Sequence, residues 1–317
     1  MIISASRRTD IPAFYGKWMI NRLTEGVVLV RNPFNFHMVS KIKLSPDIVE
    51  CIVFWSKNPA PFIKYLDIID NLGYKYYFHF TLTPYDKKIE NGLPDKSELL
   101  ATFKKLSKKI GREKIIWRYD PILIADGIDC GYHIKNFEHI AGELAGYTDK
   151  CVISFIDMYK TIQSKINGAG IRELNTGEIN AIASAFSKIS PKYNIQVLTC
   201  AEEVNLSTYG ITHSKCIDAE LISRITGHEL KIPHDKHQRK FCGCAESVDI
   251  GSYGTCLHNC VYCYANGGKI PMHNKIRIHD ENSPLIFGSI TYADIITERK
   301  IKNNKTNIGN ENFKFDI

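Results

Sequence analysis

Five of the ten cysteines fall within 22 residues, at Cys242, Cys244, Cys256, Cys260 and Cys263. The last three are spaced C-x3-C-x2-C in the run Thr255-Cys256-Leu257-His258-Asn259-Cys260-Val261-Tyr262-Cys263-Tyr264. Three thiols on so short a loop converge, and a shared occupant is expected between them. Disulfides need an oxidising compartment. Residues Met1 to Arg7 carry no charged segment followed by an apolar one, so disulfides are discounted and a cytoplasmic location is expected. Zinc takes four thiolates or imidazoles in tetrahedral closure, and Cys242 or Cys244 with His258 would complete a set. Its usual pattern, however, is two short pairs well apart. An iron–sulfur cube suits the triple best, because each iron corner accepts one thiolate. Three ligands leave one iron open for a substrate or cofactor.

With Tyr262 just before the third cysteine and Tyr264-Ala265 just after it, the loop resembles the C-x3-C-x-aromatic-C loop of the radical S-adenosylmethionine (SAM) superfamily. The resemblance implies that Cys256, Cys260 and Cys263 hold a 4Fe-4S cluster, that SAM chelates the fourth iron, and that Tyr262 lies near the adenine. It implies reductive cleavage of SAM to a 5′-deoxyadenosyl radical that takes hydrogen from a substrate, with a flavodoxin or ferredoxin as electron donor. In the superfamily the loop follows the first strand, whereas here it lies at residue 256 of 317. In this the chain is similar to an uncharacterised family recognised by a C-terminal cysteine cluster of radical-SAM type. The similarity runs from Ser6-Arg7-Arg8-Thr9-Asp10-Ile11-Pro12 through Gln238-Arg239-Lys240-Phe241-Cys242-Gly243-Cys244 to Cys263-Tyr264-Ala265-Asn266. It leaves the substrate open. Cys242 and Cys244 have three roles available: ligands of a second metal, the fourth ligand that closes the first cluster, or none. Closure would leave SAM no iron and make the chain an iron–sulfur binding or redox protein.

Something must position that loop. With 44% hydrophobic and 24% charged residues over 317 positions, the composition is that of a globular protein with a sizeable core. No run approaches 18 uncharged apolar residues, so no membrane span is expected. The net charge of +7 is spread along the chain, which favours a solvated basic surface over a nucleic-acid footprint. Apolar runs suited to strands covered on both faces occur at Ile2 to Ser6, Val27 to Arg31, Cys51 to Trp55, Tyr76 to Leu82, Ile115 to Arg118, Val152 to Ile156 and Ile195 to Thr199. Helical patterns lie between them. Asp95-x-x-Glu98 and Asn175-x-x-Glu178 read as capping boxes, and Pro61 opens a third helix that ends at Gly73. The alternation predicts an α/β fold: a TIM-like (β/α) barrel, complete or partial, over residues 1–230, a cysteine-rich cluster segment over 231–282 folding back on the barrel mouth, and a C-terminal strand and polar tail over 283–317. Lys275 to His279 reads as a short strand after a break at Gly267-Gly268, and Leu285-Ile286-Phe287 as an edge-packed run or an eighth strand.

In such a barrel the C-terminal strand ends face one mouth. Arg7, Arg8, Asp10, Lys57, Arg118, Asp120 and Asp157 each follow an apolar run at once, which makes them the catalytic candidates. Asn58 and Glu202 join Tyr262 as cofactor-binding candidates. Arginine forks beside carboxylates suit a polar, anionic ligand, and SAM with its carboxylate, amine and ribose would use such a set. His79 reads as packed. His37, His213, His234, His237, His258 and His273 lie in loops, and of these only His258 is placed to touch a cluster or its ligand. Cys51, Cys130, Cys151, Cys200 and Cys216 sit mostly in apolar runs and are assigned to core packing. Two other classes fit the same residues: a zinc staple on a barrel whose rim does hydrolytic or acid–base work, and a phosphate-binding surface for nucleic acid.

Overall fold

The computed structural model describes residues 1–266 and 279–300. From the N-terminus, β1 (Ile2–Ala5) leads through helices α1 (Ile11–Phe14) and α2 (Gly16–Glu25) to an antiparallel hairpin, β2 (Val27–Arg31) and β3 (Met38–Lys43). The chain then alternates through β4 (Cys51–Ser56), α3 (Leu66–Asn71), β5 (Tyr76–Thr81), α4 (Lys96–Ile110), β6 (Ile115–Ile122), α5 (Cys130–Leu144), β7 (Lys150–Phe155), α6 (Gln163–Gly168), α7 (Thr176–Ile189) and β8 (Gln196–Thr199). β9 (Thr212–His213), α8 (Ala219–Thr226), β10 (Val248–Asp249) and β11 (Ile295–Glu298) complete the described strands and α-helices.

Eight strands form one parallel sheet in the order β10-β1-β4-β5-β6-β7-β8-β9. Its central strands are apolar almost throughout because both faces are covered. Alternate residues divide between the faces. Ile3, Phe54, Phe78, Trp117 and Ile153 pack against helix residues such as Phe62, Phe103, Phe137 and Phe186. Ile2, Val53, Tyr77, Ile116, Val152 and Leu198 instead bury against Cys216, Ile217, Leu221, Ile222 and Cys244, so α8 and its flanking loops cover the second face. Among the described residues no ladder joins β9 to β10, and the last strand of the sheet lies beside β1.

Several expectations change. The run Val27 to Arg31 does become a strand, but in a separate three-stranded sheet of order β11-β3-β2. A short hairpin connection suffices for that antiparallel pairing, where a parallel crossover needs a dozen residues or more. Arg31 is accordingly tied to Asp294 and lies away from the strand ends of the main sheet. Leu285 bridges Leu29 of the small sheet, and the eighth strand of the large sheet is Val248–Asp249. The Asn175–Glu178 capping box forms at α7, but Asp95 caps α4 without a side-chain hydrogen bond, and its carboxylate lies 3.6 Å from Lys87 Nζ. The helix opened by Pro61 begins as a 3₁₀ segment, Ala60–Tyr65, before α3. The break at Gly267-Gly268, residues 275–278 of the expected strand, His273 and the tail beyond Lys300 lie outside the described residues. No helix among the described residues is long and apolar enough to cross a membrane.

Candidate active site

A cavity of about 400 Å³ opens at the C-terminal ends of the parallel strands. Arg7 and Arg8 reach it just after β1, Lys57 after β4, Asp157 after β7 and Cys200 after β8. In β6 the register slips between Tyr119 and Ile122, and Arg118 and Asp120 both line the cavity from there. The cysteine loop supplies Cys256, His258, Cys260, Tyr262 and Cys263. Cys216, Cys242 and Cys244 complete a lining that holds seven of the ten cysteines.

The loop is held by contacts with distant parts of the chain. Asp249 on β10 accepts from Ser4 Oγ (3.0 Å), Ser6 Oγ (2.6 Å) and the Arg7 amide (2.8 Å), which fixes the incoming strand to β1. Asp10 caps α1 through the Ala13 amide (2.9 Å), accepts from the Lys57 amide (2.7 Å) and meets His258 Nε2 at 2.7 Å. Burial pushes the Asp10 carboxyl up, but the His258 contact outweighs it and leaves the group below the usual carboxylate range. The Gly92 amide donates to the His258 carbonyl at 2.9 Å, and the Val261 amide to Ile89 at 2.9 Å. A Cβ on Gly92 would stand 2.7 Å from the Leu257 carbonyl oxygen, so only glycine lets the two backbones approach this closely. Asn259 takes the left-handed backbone, φ 50°, between two of the cysteines.

Beneath the loop, Glu90 accepts from Lys57 Nζ (2.8 Å), Thr83 Oγ1 (2.8 Å), Lys96 Nζ and Tyr262 Oη. Burial pushes its carboxyl up, but Lys57 and Lys96 together prevail and hold it at about 2. A buried carboxylate satisfied by four donors fixes both Tyr262 and the Lys57 side chain, whose ammonium lies 5.3 Å from the Tyr262 ring centre.

The thiols form two groups with different surroundings. In the loop, burial pushes Cys260 up to about 12, against the pull of Lys57, and also raises Cys256 and Cys263. A raised value keeps these thiols protonated near neutral pH. In the second group Cys200 Sγ and Cys216 Sγ are 3.2 Å apart, and Cys244 Sγ accepts from the Ile217 amide at 3.4 Å. The neighbouring Cys244 lowers Cys242 to about 7 despite its burial. Among the described residues no three His, Cys, Asp or Glu side chains are grouped as ligands of a single ion.

The seven catalytic candidates thus line one cavity, as do Tyr262 and all five candidate cysteines. Asp157 stands exposed at the edge, paired with Arg239. Asn58 and Glu202 are not among the lining residues: Asn58 Oδ1 accepts from the Ala60 amide, and Glu202, raised to about 7 by burial, accepts from the Phe155 amide at 3.1 Å. Cys200 and Cys216 pack with the buried cluster behind the sheet as expected, and they also line the cavity, because β8 and the strand after it end there. His79 is packed as expected, stacked on Trp55 with ring centres 4.3 Å apart. Glu90 and Trp55 were not singled out. Glu90 follows no strand, and Trp55 reads simply as part of the β4 run.

A family model described as a domain of unknown function, DUF1848, matches residues 2–265. The chain belongs to that family. The DUF1848 match spans every lining residue except Asn266, including both thiol groups. No curated protein matches the chain. A crystal structure described as that of a "putative alpha-L-fucosidase" from Bacteroides thetaiotaomicron VPI-5482 shares 12% identity over 72% of this DUF1848 chain and 81% of its own, with a TM-score of 0.24. A likeness that low carries no argument.

Proposed function

We propose that the cavity binds a 4Fe-4S cluster on Cys256, Cys260 and Cys263 together with SAM, and that the chain is a radical-SAM-type enzyme acting on a polar, anionic substrate. The observation that carries this reading is that the three loop thiols share one cavity with Arg7, Arg8, Lys57, Arg118 and Asp120, at the strand ends where parallel α/β proteins build their sites. The donor set suits a cube: thiolates that each take a separate iron corner need not gather round one point as ligands of a single ion do. Once bound and reduced by a donor such as a flavodoxin or ferredoxin, this pair would supply one-electron cleavage of SAM to methionine and a 5′-deoxyadenosyl radical.

The chain's own residues divide the remaining work. Cys256, Cys260 and Cys263 give up their protons on ligation. Arg8 lines the cavity with a 3.9 Å contact to Asp249 and its guanidinium 5.3 Å from the Tyr253 ring centre, which leaves donors of its fork for a carboxylate or phosphate. Asp120, fixed by Arg118 and Ser154, offers its remaining acceptor capacity to an amine or hydroxyl. Asp10 and Glu90 act as positioning residues, the first through His258 and the Lys57 backbone, the second through Tyr262 and the Lys57 side chain. We read the sheet itself as a TIM-like (β/α) barrel, complete or partial, because its strands follow chain order and β10 returns beside β1.

The test is anaerobic reconstitution with iron and sulfide, followed by reduction and electron paramagnetic resonance with and without SAM. A 4Fe-4S signal that changes with SAM, with that SAM response lost when Cys256, Cys260 and Cys263 are all replaced by alanine, is the expected outcome. A signal indifferent to SAM, or a SAM response that survives the triple substitution, overturns the reading.

A further inference from the structure

The cavity carries four more thiols than the loop provides, and their surroundings are built with some care. The Cys216 carbonyl is gripped by two buried side chains of β5, Tyr77 Oη at 2.6 Å and His79 Nε2 at 2.7 Å. The Cys216 thiol is 3.2 Å from Cys200 Sγ and receives Arg118 Nη1 at 3.0 Å. Cys244 Sγ accepts from the Ile217 amide at 3.4 Å, and the Ala245 amide donates to the Ile217 carbonyl at 3.0 Å, so the segments bearing Cys216 and Cys244 are laced together. Cys242 lies two residues before Cys244 and lines the same cavity. Four sulfurs from three separate stretches of chain therefore share one cavity and one buried cluster. Hydrophobic packing asks for none of this polar bracing.

The charges beside these sulfurs point the same way. Arg118 gives Nε and Nη2 to Asp120 and turns Nη1 to Cys216. The Arg7 guanidinium feels the Asp249 carboxylate as well as the thiols Cys244, Cys216 and Cys242, and its Nη2 is buried without a hydrogen-bond partner. An unpartnered buried guanidinium nitrogen costs free energy unless an anion completes it. Both arginines lie over Trp55, 5.2 and 5.3 Å from its ring centre, which limits where their forks can turn. Four neutral thiols supply no anion. Four thiolates around a divalent ion, or around an iron–sulfur core, carry net negative charge and would satisfy Arg7 and Arg118 together.

We propose that Cys200, Cys216, Cys242 and Cys244 form a second metal site on the same cavity, a four-thiolate centre holding either one zinc ion or an iron–sulfur cluster. Among the described residues the free thiols form no closed ligand set, and binding exchanges the S–H···S contact of Cys200 and Cys216 for sulfur–metal bonds with release of the protons to solvent. With this assignment Cys242 and Cys244 do not close the loop cluster, whose three cysteines keep an open iron.

The test uses the full chain with Cys256, Cys260 and Cys263 replaced by alanine, purified anaerobically, so that metal bound at the loop does not enter the reading and the two sites fail separately. Elemental and sulfide analysis is expected to give about one zinc per chain, or about four iron and four sulfide, and the numbers tell the two occupants apart. Adding Cys216→Ser and Cys244→Ser should remove that metal. A folded triple variant that holds neither metal after exposure to zinc and to iron with sulfide, or metal content that ignores the added serines, overturns the proposal. Should the added substitutions unfold the chain, alkylation of the triple variant before and after chelation decides: Cys200, Cys216, Cys242 and Cys244 should become reactive together once metal is withdrawn, and reactivity unchanged by chelation sinks the idea.

Discussion

His258 Nε2 lies 2.7 Å from Asp10 Oδ2, a contact between residues 248 positions apart that ties the cysteine loop to the first helix of the chain. The same carboxylate caps α1 and holds the Lys57 amide, so one side chain registers the loop, a helix start and a strand end against one another. Asp10→Ala leaves three groups without their acceptor, the half-buried Ala13 and Lys57 amides and the buried His258 ring. It should cost about 2–3 kcal/mol, a lost cap plus an unsatisfied donor, and should lower the iron bound on reconstitution. Asp10→Asn, which keeps an acceptor for Ala13, should recover much of the stability. Urea unfolding with iron analysis checks both, and equal losses in the two variants would count against the account.

Gly92 tests the backbone approach. A methyl group there meets the Leu257 and His258 carbonyl oxygens at 2.7 and 2.8 Å and the His258 Cα at 2.9 Å, all backbone atoms without rotamers to escape into. Gly92→Ala should displace the cysteine loop, cost about 1–3 kcal/mol as overpacking does, and reduce cluster reconstitution while helical circular dichroism stays intact. Unimpaired iron binding would show that the loop tolerates the shift.

Glu90 tests the support under Tyr262 and Lys57. Glu90→Gln leaves two lysine ammonium groups facing a neutral amide in a buried setting, and removing one partner of such a network costs about 3 kcal/mol. Denaturant unfolding should show that loss, and Lys57→Met in the Glu90→Gln background should restore part of it. Additive losses in the double variant would deny the coupling.

A pH prediction comes from α7, far from the thiols. Arg172 and the Asn175 amide hold Glu178 at about 2. Because the folded value lies below the ordinary one of about 4.3, the contribution is fully present above that value and fades as pH falls towards 2. The stability gap between the native sequence and Glu178→Gln should therefore be open at pH 6, narrow below about pH 4 and close only as pH falls to about 2. A gap that is constant across the range refutes the pairing. Asn175→Ala, which removes the other half of the cap, should cost about 1 kcal/mol.

How far could these features be read from residues alone? The central strands were legible because a parallel sheet covered on both faces demands continuous apolar runs, as at Cys51 to Trp55 and Tyr76 to Leu82. Val27 to Arg31 has the same composition, and nothing local says which sheet it joins; the hairpin with Met38–Lys43 decides that. β9 and β10 contribute two residues each, too few for any period to register. The loop cysteines announce themselves by spacing. Cys200 and Cys216 do not, because only the ends of β8 and β9 bring them beside Cys242 and Cys244. Glu90 became visible only with Lys57, Lys96 and Tyr262 gathered round it.

The pairing of β10 with β1 sets a schedule for the protein's synthesis. Ser6 leaves the ribosome 243 residues before Asp249, its hydrogen-bond partner. At usual elongation rates that is a wait on the order of ten to fifty seconds. Arg7 and Asp10 spend it beside an unfinished strand edge, and the three loop cysteines, Cys256, Cys260 and Cys263, are still to come when Asp249 is added. A chain cut short before residue 249 forfeits the edge strand and the loop thiols in one stroke.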